Sequence, residues 1–370
     1  MYKMMTPGPT MVAENVRIAR SIETGNPDLD LDFYDYYKET CELYSSLLHT
    51  NNESLILSGE GILGLEAAVA SITEPGDRVL VLDNGVFGRG FADFVSLYGG
   101  EPVIYTTDYK KELEAGALRE YLEKDSNFKY ATVVHCDTPS GMLNNISVIC
   151  PLLKKYDILT VVDSVSGMFG NEVNVDAWGI DILCGGSQKA ISCPIGLTLV
   201  TVSDEAKRVM ENRKIKIASF YANLLTFQNY YENKWFPYTM PISDIYGLRQ
   251  ALENIKEDSD ILKRHAEIAA KTREALTRAG LKLYAENGYS NTVTVFTIPG
   301  GVTAADILKT MREEHNIMLA GSFDVMAGEV IRIGHMGYNC TEENMKEVLA
   351  ALDAVLRKLG VELKAPVEFK

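Results

Sequence analysis

The sequence lacks an uninterrupted apolar run of the roughly 20 residues that a membrane-spanning helix needs. Its N-terminal stretch, MYKMMTPGPTMV, also lacks an apolar core of signal-peptide length. Basic residues are scarce: 36 lysines and arginines stand against 51 aspartates and glutamates, and 36 − 51 gives a net charge of −15. This charge opposes binding to nucleic acid or to an anionic membrane. We therefore expect a cytosolic protein without nucleic acid or membrane partners.

Patterns for metal ligation and disulfide bonding are missing too. The six cysteines contain no C-x-x-C pair, and the five histidines show no short ligand spacing. We expect the cysteines to be reduced and buried, because most of them lie in apolar segments. We expect no protein-bound metal.

Strand-like and helix-like segments alternate along the first two thirds of the chain. Short apolar, β-branched runs predict seven strands, and most are separated by segments of helical periodicity. The predicted strands cover residues 54–58, 78–82, 102–106, 130–134, 158–162, 180–184 and 196–202. This alternation is typical of an α/β fold, with a mainly parallel seven-stranded sheet covered by helices.

The pattern changes near residue 258, where a long charged amphipathic helix begins, with Gly280 as its C-cap. The strand-like runs NTVTVFTI and VIRIGHM follow, together with helices opened by Thr303 and Thr341. This part of the chain indicates a smaller α+β domain. The predicted division is an N-terminal arm at 1–16, a large domain at 17–258 and a small C-terminal domain at 259–370.

The stretch SLILSGEGILGLEAAVASI contains the spacing G-x-G-x-x-G in Gly59, Gly61 and Gly64. Glycines let the backbone approach a phosphate closely, and a helix beginning near Ile62 would offer free N–H groups and its positive dipole end. Asp83 closes the next apolar run, where a nucleotide-binding domain keeps its ribose-binding acid. The stretch favours a phosphate site. It leaves open a nicotinamide dehydrogenase, a different phosphate ligand, or glycines that serve only a tight turn.

Two further residues favour one of these alternatives. Asp163 ends a predicted strand, and Lys189 lies 26 residues later, just past the next strand. In a parallel sheet both would project into the crevice at the carboxyl ends of neighbouring strands, where ligands bind. A lysine can form a Schiff base with the aldehyde of pyridoxal phosphate, while a carboxylate keeps the pyridine nitrogen protonated. Nicotinamide chemistry needs neither group.

Several motifs accompany these residues in a fixed order. They are TPGPT at 6–10, SGEGILGLEAA at 58–68, NGVFGRG at 84–90, HCDTPSGMLN at 135–144, VDSVSG at 162–167, GGSQKAISCPIGL at 185–197, IYGLRQAL at 245–252 and RIGHMG at 332–337. Together they resemble the class V aminotransferases of pyridoxal-phosphate fold type I, over almost the whole chain. Within this family the sequence is most similar to alanine–glyoxylate and serine–pyruvate aminotransferases, with 2-aminoethylphosphonate–pyruvate transaminase as a near relative.

The resemblance implies pyridoxal 5′-phosphate as the cofactor. Lys189 would be the Schiff-base lysine and the proton shuttle, and Asp163 would hold the pyridine nitrogen. Gln188 and the backbone around Gly61 and Ile62 would hold the phosphate.

The resemblance also implies a substrate site and a partner. Phe87 would stack on the cofactor ring, and Thr138 would bind the phenolic oxygen. Arg332 would bind the substrate carboxylate, while Gly8 approaches the substrate from the arm. Thr239 matches a residue that reaches the phosphate of the neighbouring subunit. A homodimer with shared active sites is therefore implied.

Three positions depart from the family pattern. Glu60 stands in the phosphate loop where the family usually has a small polar residue, so its carboxylate either turns away or binds something unusual. Phe236 aligns with a family tyrosine, so one phosphate hydrogen bond is missing. The segment ETGNPDLD lacks a histidine and an arginine often found there, which bears on the substrate.

The function that the resemblance implies is an aminotransferase that acts by way of Lys189. It would move an amino group from an alanine-like or serine-like donor to glyoxylate or pyruvate. The alternative is a transaminase of the 2-aminoethylphosphonate–pyruvate type. Related class V lyases rely on a small-domain cysteine, which the segment LAGSFDVMAGEVIRIG lacks. Only the glycine spacing favours the remaining alternative, an NAD-dependent dehydrogenase.

Overall fold

The computed structural model describes residues 2–370; Met1, the first residue of the predicted arm, lies outside the described residues. The strands are β1 (Lys3–Met4), β2 (Glu53–Ser58), β3 (Arg78–Asp83), β4 (Glu101–Thr106), β5 (Tyr130–Val134), β6 (Cys136–Asp137), β7 (Met142–Leu143), β8 (Leu159–Asp163), β9 (Ile182–Gly186), β10 (Leu197–Val202), β11 (Val293–Thr297), β12 (Ile317–Met318) and β13 (Val330–Gly334). The α-helices are α1 (Glu14–Ala19), α2 (Leu31–Leu47), α3 (Gly61–Ile72), α4 (Val86–Leu97), α5 (Ala115–Leu122), α6 (Ile146–Lys154), α7 (Val175–Trp178), α8 (Asp204–Glu211), α9 (Tyr230–Asn233), α10 (Ile242–Glu257), α11 (Ile261–Arg278), α12 (Ala304–His315) and α13 (Glu342–Lys358). Short 3₁₀ helices cover Leu224–Phe227, Asp324–Met326 and Gly337–Asn339.

A seven-stranded sheet forms the centre of the molecule, in the order β2-β10-β9-β8-β5-β3-β4. Strand β10 is antiparallel to both of its neighbours, and the other neighbouring pairs are parallel. Strands β5, β8 and β9 are buried along their whole length, as a sheet covered on both faces requires. The predicted α/β fold is confirmed, and each predicted strand lies within two residues of an observed one.

The parallel arrangement brings the carboxyl ends of several strands to one edge of the sheet. Asp163 is the last residue of β8, and Lys189 follows the end of β9 by three residues. Strand β2 runs parallel to β9, because both are antiparallel to β10, so α3 also begins at this edge. This edge is where doubly wound sheets bind their ligands.

Two apolar clusters support the predicted division of the chain. The larger surrounds the sheet and draws almost all of its residues from Val16 to Ile255. The smaller contains Met5 and residues from Ile268 onward. The boundary at 258–259 stays a prediction. Strand β1 of the arm pairs with β12, so the arm packs against the C-terminal part of the chain.

Local signals at the helix ends of the C-terminal part agree with the sequence. Thr303 and Asp306 form a reciprocal capping box at the start of α12. Thr341 accepts a hydrogen bond from the Asn344 N–H at the start of α13. Gly280, two residues after α11 ends, has a φ of +90°, a conformation that favours glycine.

All six cysteines are buried free thiols, as predicted. Among residues 2–370, none of the helices combines the length and the apolar character that crossing a membrane requires.

Candidate active site

A cavity of about 260 Å³ lies at the carboxyl edge of the sheet. Its lining brings together seven of the predicted site residues: Glu60, Gly61, Ile62, Phe87, Thr138, Asp163 and Lys189. Cys136, Val165, Ser166 and Leu65 complete the lining.

Lys189 projects from the loop after β9, and its Nζ donates a hydrogen bond to the Pro7 carbonyl at 2.6 Å. Burial is the main reason that the pKa of Lys189 is lowered to about 8, and the positive charge of Arg332 lowers it further. The neighbouring acidic groups, including Asp163 and Glu60, oppose this effect. Lysines with a lowered pKa carry a larger neutral fraction, the form that attacks an aldehyde.

Gly8 approaches the same lysine from the arm. Its φ is +97°, and a Cβ at this position would lie 2.5 Å from the Lys189 Cδ. Only glycine combines this backbone conformation with this contact. Gly8 therefore packs against Lys189, and its approach to the substrate stays a prediction.

Asp163 is 4% exposed, and its Oδ1 accepts a hydrogen bond from the Val165 N–H at 2.9 Å. Burial raises the pKa of this carboxyl to about 7, against the opposing effects of that hydrogen bond and of Lys189. A buried carboxylate is stabilised by a cationic partner, and a protonated pyridine nitrogen would be one.

Asp137 and Ser166 contribute to the site although the sequence analysis did not single them out. The buried Asp137 carboxylate accepts hydrogen bonds from the Phe87 N–H at 3.0 Å and from the Ser140 hydroxyl at 2.6 Å. It thus ties the start of α4 to the turn that carries Thr138. Ser166 lines the cavity, and its buried Oγ has no hydrogen-bond partner among the described residues. Asp137 lies in the motif HCDTPSG and Ser166 in the motif VDSVSG, so the motifs could have indicated both residues as parts of the site.

Arg332 lies on β13 beside the cavity. Its Nε donates to the Gly321 carbonyl at 2.5 Å, and its Nη1 lies 3.5 Å from the Thr138 carbonyl. Burial lowers the pKa of this guanidinium to about 10, with Asp137 opposing. No carboxylate within residues 2–370 forms a salt bridge with it, so its two-pronged donor set suits a carboxylate ligand.

Besides Gly8 and Arg332, three further residues discussed for the site lie outside the cavity lining. Gln188 is adjacent and contacts Glu60. Thr239 is exposed, and its hydroxyl donates to the Asp28 carboxylate at 2.9 Å. Phe236 is buried and stacks on Tyr34, with 4.6 Å between ring centroids. The cross-subunit role of Thr239 stays a prediction.

Glu60 does not turn away from the phosphate loop. It is the N-cap of α3, and its Oε2 accepts a hydrogen bond from the Ile62 N–H at 3.0 Å. Its Oε1 accepts a second hydrogen bond from the Gln188 amide at 2.5 Å. The carboxylate therefore occupies the helix terminus that the glycine motif had indicated for a phosphate.

The residues present fit a pyridoxal ring better than they fit its phosphate. A buried acid, an aromatic side chain, an unpartnered hydroxyl and a lysine meet at the ring end, in Asp163, Phe87, Ser166 and Lys189. At the other end a carboxylate stands where the phosphate of the cofactor would bind.

The glycines of the G-x-G-x-x-G spacing serve different purposes. A Cβ on Gly64 would lie 2.3 Å from the Thr198 Oγ1, so this glycine allows α3 to pack on β10. A Cβ on Gly61 would meet the Val165 side chain at 3.0 Å. Helix packing thus accounts for part of the motif.

Comparisons with known proteins identify the family of the chain. The family model described as "Aminotransferase class-V" matches residues 14–347. An uncharacterized aminotransferase of Methanocaldococcus jannaschii is 35% identical over 365 residues, 98% of this chain and 94% of that protein. Alanine–glyoxylate aminotransferase of Rattus norvegicus is 29% identical over 365 residues, 96% of this chain and 87% of that protein.

A solved structure, pyridoxamine–pyruvate aminotransferase from Mesorhizobium loti, superimposes with a TM-score of 0.94 and 28% identity. It covers 98% of this chain, and this chain covers 94% of it. These matches favour a transaminase over the dehydrogenase that the glycine spacing left open. The chain belongs to the class V aminotransferases, transaminases of fold type I whose cofactor is pyridoxal 5′-phosphate.

Proposed function

We propose that this transaminase moves an amino group from a small amino acid, alanine or a serine-like donor, to glyoxylate or pyruvate. The observation that supports the proposal is the meeting of Lys189 and Asp163 in one cavity, with the Arg332 guanidinium beside it. Alanine and glyoxylate appear in the name of the rat relative, and pyruvate in that of the Mesorhizobium structure.

Each of these residues has a separate task in the proposed reaction. A bound pyridoxal cofactor supplies an electron sink for the electrons released at the donor's Cα. With the cofactor bound, Lys189 would accept the proton from the donor's Cα and return it, and its lowered pKa suits both acceptance and release. Asp163 would hold the pyridine nitrogen of the cofactor in its protonated form. Arg332 binds the carboxylate and so orients the Cα–H bond toward Lys189.

A homodimer with shared active sites is part of the proposal. Ile62 at the cavity is 40% exposed, and Trp235, near Thr239, is 57% exposed. Apolar side chains exposed around a ligand site are typical of a surface that a second subunit covers. Light scattering that finds a fully active monomer would contradict this part.

The experiment is a panel of donors and acceptors with the purified protein. Alanine and serine should support transamination of glyoxylate or pyruvate, and Lys189→Ala should abolish it. Borohydride should link the cofactor covalently to Lys189 in the wild type. Activity confined to 2-aminoethylphosphonate would replace this proposal by the aminophosphonate alternative, and no borohydride-stable link at Lys189 would remove its basis.

A further inference from the structure

The N-terminus of α3 is a position that suits an anion, and a carboxylate of the protein, that of Glu60, occupies it. A 12-residue helix presents unpaired N–H groups and a positive dipole end, here at the wall of the cavity. Glu60 caps this terminus through its Oε2, which accepts from the Ile62 N–H. A phosphate at the same place would compete with a carboxylate that is held by the chain.

The second contact of Glu60 holds its carboxylate as a hydrogen-bond acceptor at this end of the cavity. The Gln188 amide nitrogen donates to Glu60 Oε1, and Gln188 is only 4% exposed. A phosphate ester near neutral pH carries acceptor oxygens and about two negative charges, so it offers this end no donor. A hydroxyl group donates one hydrogen bond and suits it.

The charges around the cavity point the same way. Of the residues that line it, Lys189 is the one cation, and it is engaged at the aldehyde, whereas Glu60 and Asp163 are acids. The guanidinium of Arg332 lies beside Thr138, where a substrate carboxylate would bind. Phe236, which replaces a family tyrosine, has no hydroxyl to donate and is packed against Tyr34. The residues that line the cavity thus supply no free positive charge that would balance a phosphate beside Glu60.

We propose that this cavity binds pyridoxal and pyridoxamine without the 5′-phosphate, in preference to their phosphate esters. Glu60, held by Gln188, accepts a hydrogen bond from the 5′-hydroxyl group and is the specificity-determining residue. A phosphate-free ligand lacks the charged anchor that retains the cofactor, so it exchanges with solution. Pyridoxamine then acts as an amino donor. The inference rests on the transaminase function proposed above.

The reaction balances with a 2-oxoacid alone. In pyridoxamine the bond between C4′ and the amino nitrogen breaks, and the nitrogen becomes bonded to the keto carbon of pyruvate. The C4′ carbon is oxidised to an aldehyde, while the keto carbon is reduced to the Cα of alanine. Lys189 carries the proton from C4′ to that Cα. Water is released once and consumed once, so the products are pyridoxal and alanine.

The test measures binding before activity. Cofactor-free protein is titrated with pyridoxal and, separately, with pyridoxal 5′-phosphate, and the visible absorption of the lysine-bound ligand is followed. The wild type should bind pyridoxal more tightly. Glu60→Gln, which removes the charge, and Glu60→Ser, which restores a small polar residue, should each shift the ratio of dissociation constants toward the phosphate ester by roughly 10- to 100-fold. Glu120→Gln, an exposed glutamate on α5, is the matched control and should leave the ratio unchanged.

The outcomes separate this inference from the proposed function. A wild type that binds the phosphate ester at least as tightly as pyridoxal would overturn the inference, as would Glu60 variants with an unchanged ratio. If such a protein still transaminates alanine with glyoxylate, the proposed function stands. Conversion of pyridoxamine and pyruvate to pyridoxal and alanine, without added phosphate ester, supports the inference.

Discussion

The surroundings of the Arg332 side chain suit its proposed role as the anchor of the substrate carboxylate. The side chain is half-buried, and its guanidinium carbon lies 5.6 Å from the centroid of the Phe323 ring. Its N–H groups donate only to backbone carbonyls, those of Gly321 and Thr138. Desolvation makes such a cation a strong partner for a carboxylate that can complete its hydrogen bonds. Arg332 is not among the residues that line the cavity, so its replacement should affect substrate binding more than cofactor binding.

We predict that Arg332→Lys leaves the visible absorption of the bound cofactor intact and weakens turnover of carboxylate substrates. Lysine keeps the charge but cannot copy the planar two-pronged donor set. The loss should be roughly ten- to a thousand-fold in kcat/KM, or about 1.4 to 4 kcal/mol. Amines without a carboxylate should lose much less. Equal losses for both kinds of donor would show that Arg332 does not anchor the carboxylate.

Glycines in two neighbouring helices differ in what surrounds them. Gly64 of α3 faces β10, where the Thr198 hydroxyl donates to the Gly185 carbonyl at 2.8 Å. Gly90 of α4 has no heavy atom within 4 Å of the position that a Cβ would take. The same substitution should therefore have opposite effects at the two positions.

We predict that Gly64→Ala lowers the free energy of unfolding by about 1 to 3 kcal/mol, because the methyl group would overlap the Thr198 side chain. Gly90→Ala is the matched control and should raise it by about 0.4 to 1 kcal/mol, since alanine loses less backbone entropy in a helix. Urea denaturation followed by circular dichroism measures both. Equal stability of the two variants would mean that α3 and β10 are not closely packed at Gly64.

At the scale of the whole molecule, the buried Asp163 carboxyl lowers the free energy of unfolding when it is ionised. A bound ligand with a cationic group would offset this loss. Asp163 ends β8 at the carboxyl edge of the sheet, and burial raises its pKa to about 7. An aspartate in the unfolded chain has a pKa near 3.9. The folded state thus favours the protonated form. Its contribution to stability is fully present below pH 4 and is lost as the pH rises through 7.

We predict that the cofactor-free wild type loses up to about 4 kcal/mol of unfolding free energy from this group between pH 4 and pH 8. Asp163→Asn cannot ionise, so it should lack this component and be more stable than the wild type above pH 7. Denaturation curves of both proteins at several pH values give the difference. A stability difference that stays constant between pH 4 and pH 8 would contradict the burial of a charged Asp163. The variant should bind pyridoxal ligands more weakly at every pH.

The sequence alone was sufficient to locate the seven strands and to assign Asp163 and Lys189 to one edge of the sheet. Apolar runs predicted the seven strands because strand formation in a buried sheet follows local hydrophobic pattern, and Thr303 and Thr341 marked helix starts because capping bonds span only three residues. Asp163 and Lys189 could be assigned to one edge because parallel strands share the direction of their carboxyl ends.

Tertiary structure decided what depends on contacts between distant segments. The pattern of the chain could not tell whether Glu60 faces the cavity, because its orientation is set by Gln188, 128 residues away. Nor could it assign Gly64 to packing against Thr198, join β1 to β12, or show that Asp137 holds the start of α4. Local sequence determines which segments become helix or strand; which side chains meet, and therefore which ligand they can bind, is determined only when the folded chain brings them together.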